Sequence, residues 1–88
     1  MQKEIHDFMK NHLDLLVQQA KTYQPFVRTA FPNVNLADAC FNLVAGNAFS
    51  VFLGQYAMRV RSPTEQDFAD FGSLVSQYRQ KINEMFSE

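Results

Sequence analysis

Residues 36–60 read LADACFNLVAGNAFSVFLGQYAMRV, and this stretch decides how the rest of the chain must be arranged. At 100° per residue its polar side chains scatter around the whole circumference of a helix, and apolar side chains fill the gaps. The polar positions are Asp38, Asn42, Asn47, Ser50, Gln55 and Arg59. A helix without a polar face needs cover from every direction. We therefore predict that residues 36–60 form a central helix that is buried on all sides.

The composition indicates one small domain, over residues 1–88. It contains more apolar side chains than a single helical bundle of this size buries easily. Of its 88 residues, 47% are hydrophobic and nine are Phe, whereas a chain of this length buries only about 60 to 65% of the surface of its unfolded form. The net charge of −1 provides no field that attracts nucleic acid, anionic lipid or a strongly basic partner. We therefore expect this protein to bind its partners through packing of side chains and not through long-range charge attraction.

The stretch before the central helix predicts one long helix and one short helix. Apolar residues recur every three or four positions over residues 3–23, opposite a polar stripe, which is typical of an amphipathic helix. Pro25 ends this helix near residue 23 and allows a short helix over residues 25–31, which Pro32 closes. Asn35 is a favourable N-cap for the central helix.

The stretch after the central helix predicts a third long helix. The sequence Ser62-Pro63-Thr64-Glu65 combines an N-cap serine, a proline at the first helical position and an acid at the third. Apolar residues then follow at spacings of three and four up to Met85. Short connections favour antiparallel neighbours. The predicted fold is therefore an all-α, small antiparallel bundle of three long helices plus the short one.

A row of small or polar side chains marks the central helix as a packing surface. Asn42, Gly46, Ser50 and Gly54 recur every four residues and form a narrow seam along which another backbone can approach closely. The residues expected to supply buried area around it are Phe49, Phe52, Phe68, Phe71 and Tyr78. The seam is expected to pack against another helix of the same chain or, as our preferred assembly, against a second copy in a homodimer.

The sequence shows no pattern for catalysis, cofactor binding or metal binding, and we predict none of these. The glycines are isolated within helical patterns, so no phosphate-binding loop is present. His6 and His12 are six residues apart, whereas a metal pair on one helix needs three or four. His12 is expected to be a hydrogen-bonded core or interface histidine. The acids Glu65, Asp67 and Asp70 suit a solvated helix N-terminus better than acid–base chemistry.

The N-terminal region and the single cysteine predict a cytoplasmic location. Charged and polar residues interrupt residues 1–10 before a signal-peptide-like apolar run can form. Cys40 has no partner for an internal disulfide and suits a buried position in a reducing compartment.

These features favour a small non-catalytic interaction module, a regulator, adaptor or inhibitor, that homodimerises and binds another protein. The first alternative is a membrane-associated helical protein with residues 36–58 inserted, although polar residues in that stretch argue against a span. A weaker alternative is a DNA-binding regulator with a basic corner at Arg59, Arg61, Arg79 and Lys81. No exposed helix carries the run of basic and amide residues that such a role needs.

Overall fold

Five α-helices account for most of the chain in the computed structural model, which describes residues 1–86. They are α1 (Lys3–Thr22), α2 (Gln24–Ala30), α3 (Leu36–Met58), α4 (Glu65–Ser76) and α5 (Arg79–Met85). No strand occurs in the described part of the chain. The predicted all-α bundle is confirmed, and a short helix is present where it was predicted, at Gln24–Ala30 instead of residues 25–31.

The core lies between α1 and one side of α3 and is completed by α4 and α5. Its fully buried side chains include Ile5, Met9 and Leu13 from α1 and Phe52 from α3. The Phe52 ring lies 4.6 Å from the ring of Phe71 on α4, measured between centroids. Aromatic packing at this distance stabilises a contact beyond the area that it buries.

The single chain does not bury α3 on all sides, and the helix ends at Met58 instead of residue 60. Leu43 is 54% exposed and Leu53 is 38% exposed, although Ala48 and Phe52 between them are inaccessible. The reason is that α1, α4 and α5 pack against the same side of α3, while α2 has no buried residue of its own. The opposite side of α3 is left uncovered within the chain.

The predicted third long helix differs from the observed structure in two ways. The third long helix is divided into α4 and α5, because Gln77 and Tyr78 donate to the carbonyls of Leu74 and Val75, three residues back, which tightens the turn. The N-cap of α4 is Thr64, not Ser62. The Thr64 hydroxyl accepts from the Asp67 N–H, and the Asp67 carboxylate accepts from the Thr64 N–H. This capping box satisfies two N–H groups at once, and Ser62 is left outside the helix.

The C-terminus of α3 turns sharply at Val60. The Arg61 N–H donates to the Tyr56 carbonyl and the Val60 N–H to the Ala57 carbonyl, which is the Schellman pattern. Val60 has a φ of 54°, a conformation that a β-branched residue rarely adopts. This turn sends the chain from α3 to α4.

Candidate functional site

The predicted seam of Asn42, Gly46, Ser50 and Gly54 lies on the uncovered side of α3. The first three residues are exposed and Gly54 is half-buried. A Cβ atom added at Gly46 or Gly54 would meet nothing within 4 Å. No helix in the described part of the chain therefore uses these glycines for close packing.

Apolar side chains from three helices surround the seam. Leu43, Phe49 and Leu53 of α3 are exposed beside it, and the Phe68 ring of α4 lies 6.2 Å from the Phe49 ring. On the α1 side, the Phe8 ring stacks at 6.3 Å on His12. The seam with Leu43, Phe49, Leu53 and Phe68 is called the α3 face below.

The other predicted interface residues lie in the core. Phe52, Phe71 and Tyr78 are buried inside the chain, so they are not available to a partner in this structure. Leu43, Leu53 and Phe8 were not among the predicted site residues, although they are exposed. Leu43 and Leu53 could have been found because each is adjacent in sequence to a seam residue, but nothing in the local sequence of Phe8 distinguishes it from core positions of α1.

His12 is hydrogen bonded as expected. Its Nε2 lies 3.0 Å from Oδ1 of Asn47 at the edge of the α3 face. Because an amide oxygen only accepts, Nε2 carries the hydrogen in this bond. The histidine therefore joins α1 to α3.

An open apolar groove of about 310 Å³ lies between α1, α2 and α3. The side chains that line it include Leu16, Ala20, Tyr23, Val27, Cys40 and Leu43. Cys40 is 2% exposed, and burial raises the pKa of its thiol. The groove meets the α3 face at Leu43, so the two surfaces are continuous.

The ends of α3 carry opposite charges, and the helix between them carries none. At the C-terminal end, Lys3, Glu4, Arg59 and Arg61 line an open pocket of about 460 Å³, together with Gln2. At the N-terminal end, Asp38 is exposed and forms an ion pair with Arg79 of α5. No charged residue occurs from Ala39 to Met58.

Two acidic residues of α4, Asp67 and Asp70, bind the N-terminal amino group of the chain. The Met1 amino group lies 2.6 Å from Asp70 Oδ2 and 3.2 Å from Asp67 Oδ1. The pKa of Asp67 is lowered, chiefly because its carboxylate accepts the Thr64 N–H, and the pKa of Asp70 is lowered by its bond to the amino group. The ionised form of both carboxyls is therefore favoured, and in this form they pair with the positively charged amino group of Met1.

Metal ligands do not cluster in the part of the chain that the structure describes. Within residues 1–86, no group of three His, Cys, Asp or Glu side chains is placed to hold a metal ion.

The Tyr56 hydroxyl is the buried polar group without a hydrogen-bond partner among these residues, and burial raises its pKa. A buried hydroxyl with a raised pKa remains protonated at neutral pH.

The length and composition of α3 would also allow it to cross a membrane. Among the described helices, it alone is long and apolar enough to cross a bilayer. Of an 18-residue apolar stretch within it, 22% is buried. Core helices of soluble proteins have the same composition, so length and composition do not distinguish the two environments.

Comparison with known protein families, curated proteins and solved structures gave no significant match.

Proposed function

We propose that this chain is a small, non-catalytic, cytoplasmic interaction module. It homodimerises through the α3 face and acts on another protein as a regulator, adaptor or inhibitor. The observation that carries the proposal is the open seam, in which Gly46 and Gly54 have no neighbour within 4 Å of an added Cβ. Small residues in a row with apolar flanks allow two helices to approach closely.

Two further features support a protein, here the second copy, as the partner of the α3 face. The α3 face is apolar and contiguous across α3 and α4, since Phe49 and Phe68 are in ring contact. Contiguous apolar surface on a small protein is typical of a site of protein association. Phe49 and Phe68 are aromatic, and aromatic side chains contribute much of the buried area at such sites.

The oligomeric state tests the proposal. Light scattering on a sizing column, at several concentrations and without detergent, should give the mass of a dimer. Gly46→Leu should give a monomer that keeps its helical circular dichroism, because within the chain the new side chain meets open space and leucine favours a helix more than glycine does.

Ala69→Leu is the matched control. Ala69 is exposed on α4 and is not part of the α3 face. This variant should remain a dimer. A wild-type monomer at all concentrations, or a Gly46→Leu dimer as stable as the wild type, would contradict the proposed assembly.

Insertion of residues 36–58 into a membrane is the second candidate, favoured by the apolar length of α3 and its small buried share. The uncovered side of the helix would then face lipid. Expression followed by carbonate extraction separates the two candidates. A carbonate-resistant membrane fraction supports insertion, whereas a helical protein recovered in the soluble fraction contradicts it.

A further inference from the structure

The short helix α2 turns polar side chains toward the rest of the protein and an aromatic side chain toward solvent. The Gln24 side chain donates to the Met85 carbonyl of α5, and the Arg28 guanidinium lies 5.9 Å from the centre of the Phe86 ring. Phe26 is two residues from each of them, which places it about 200° away around the helix. It is 67% exposed. A helix of a soluble domain normally packs its apolar side on the core, so this arrangement is the reverse of the usual one.

Other exposed apolar side chains continue the surface on both sides of Phe26. The Tyr23 ring lies 6.1 Å from the Phe26 ring and is 57% exposed. Phe31 and Val34, in the connection to α3, are 37% and 52% exposed. Tyr23, Phe26, Phe31 and Val34 are called the α2 surface below. No residue of α2 itself is buried, so the core does not depend on this helix for its packing.

The stretch that contains the α2 surface is basic, although the whole chain has a net charge of −1. Residues 15–37 include Lys21 and Arg28 and no acid. Both side chains are exposed, and within residues 1–86 neither forms an ion pair. These two cations are therefore available to an anionic partner.

The acids from other elements at this end of the bundle lie beside cations. Glu84 of α5 lines an open pocket together with Lys21 and Lys81, and Asp38 is paired with Arg79. Cations therefore outnumber acids around α2 in the part of the chain that the structure describes. The charge of this end complements an anionic surface.

We propose that the α2 surface binds peripherally to a bilayer of anionic phospholipid. The rings of Tyr23 and Phe26 enter the headgroup region, where aromatic side chains are favoured. Lys21 and Arg28 contact the lipid phosphates, since their long stems can lie along apolar surface while the charged ends reach the headgroups. The inference is independent of the proposed dimer, because it uses neither the α3 face nor a second copy.

The size of the α2 surface favours a bilayer over a protein as its partner. Four side chains exposed to this degree present roughly 400 Å², about half of the ~800 Å² that each partner buries in a stable protein interface. A fluid bilayer fits around whatever side chains project into it, so it does not require a large complementary surface. The negative potential of an anionic leaflet adds attraction for each nearby cation.

Sedimentation with lipid vesicles tests the proposal. The protein should bind vesicles of phosphatidylcholine that contain phosphatidylserine, and it should not bind vesicles of phosphatidylcholine alone. High salt should release it, because salt screens the contacts between cations and phosphates. Equal binding to both kinds of vesicle would contradict the role of Lys21 and Arg28.

Two variants of α2 test its side chains separately. Phe26→Gln should lower the partition coefficient on anionic vesicles by about tenfold, because it removes a large apolar side chain from the contact. Arg28→Gln should lower it by about fivefold, the usual effect of one cation near an anionic leaflet. Circular dichroism checks that both variants remain folded.

Matched controls lie at the opposite end of the bundle, beside the start of α1. Met58 is 76% exposed there and Arg61 is also exposed. Met58→Gln and Arg61→Gln make the same kinds of change as the two α2 variants and should leave vesicle binding unchanged. Effects as large as those of Phe26→Gln and Arg28→Gln would overturn the assignment to α2.

Fluorescence locates the contact directly. The chain contains no tryptophan, so Phe26→Trp introduces a single indole into the α2 surface. Its emission should shift to shorter wavelength on anionic vesicles, and brominated lipids should quench it. Met58→Trp is the control and should show neither effect. An unchanged emission of Phe26→Trp on vesicles that the protein binds would overturn the proposed contact.

The remaining outcomes distinguish this inference from the other candidates. Absence of binding to anionic vesicles overturns it. Binding that resists carbonate indicates insertion of α3 and overturns a peripheral contact. Retention on duplex DNA without binding to vesicles assigns the cations to nucleic acid instead. The mass of the protein in solution tests the proposed dimer and does not affect this result.

Discussion

His12 on α1 and Asn47 on α3 are joined by a hydrogen bond of 3.0 Å between Nε2 and Oδ1. The bond lies where the packed side of α3 meets its uncovered side, and the Phe8 ring stacks on the histidine there. Among residues 1–86 it is the one side-chain hydrogen bond that connects these two helices. The pair therefore helps to fix how α1 lies along α3.

A double-mutant cycle should measure this bond. With His12→Ala, Asn47→Ala and the double variant, we expect a coupling free energy of about 0.5 to 1 kcal/mol, the usual net value for a neutral hydrogen bond. Urea unfolding of the four proteins at pH 8 provides it. The cycle cancels the higher helix propensity of alanine, which would mask the bond in either single variant. Additive effects would show that the bond contributes nothing.

The N-cap of α4 should contribute about 1 kcal/mol to the free energy of unfolding, which is the typical cost of removing a capping hydroxyl. Thr64→Ala removes the acceptor for the Asp67 N–H and should lower the free energy of unfolding by that amount. Ser62→Ala is the control and should change it by a few tenths at most, because Ser62 is exposed outside the helix. Thermal or urea unfolding of both variants is sufficient. The reverse order of effects would place the cap at Ser62.

The sequence predicted the helices better than their boundaries, for a physical reason. Asn35 was predicted correctly as the cap of α3, and its Oδ1 accepts the Asp38 N–H at 3.0 Å. At the start of α4, however, Ser62 and Thr64 are both hydroxyl residues followed three positions later by an acid. The local pattern is satisfied by either residue, so the sequence alone does not show that Thr64 is the one that caps α4.

The uncovered side of α3 was beyond a sequence argument. Apolar side chains surround the helix evenly, so the pattern contains no information about which side the other helices choose. The contacts of Phe52 with Phe71 and the burial of Ala48 depend on pairings between distant parts of the chain. For the same reason, the sequence could identify the Gly46 seam but not show that it is open.

Val60→Gly should stabilise the protein by about 1 kcal/mol. Val60 is 93% exposed and adopts a φ of 54°, so the substitution removes steric strain without removing packing. Val34→Gly is the matched control. Val34 is an exposed loop residue without a positive φ, and glycine there should be neutral or destabilising because it adds freedom to the unfolded chain. A Val60→Gly protein that unfolds more easily than the wild type would contradict the strained turn.

Alkaline pH should unfold the protein through its buried tyrosines. Burial raises the pKa of Tyr78, and its hydroxyl also donates to Asp14 Oδ1 at 2.6 Å. Burial likewise raises the pKa of Tyr56. In the unfolded chain these groups ionise near pH 10, whereas in the folded protein the pKa of each is raised, most of all that of Tyr78. Stability from this source is therefore complete below about pH 10 and is lost as the pH rises above it, by up to about 1.4 kcal/mol per pH unit for each tyrosine.

Urea midpoints measured between pH 8 and pH 11.5 check this expectation, with absorbance near 295 nm reporting tyrosinate formation. Tyr78→Phe should be less stable than the wild type at pH 8, because it loses the bond to Asp14, but its stability should fall less steeply above pH 10. Tyr23→Phe is the control, since Tyr23 is 57% exposed, and it should keep the wild-type slope. If Tyr78→Phe keeps the full slope, the Tyr78 hydroxyl is not the group that links folding to alkaline pH.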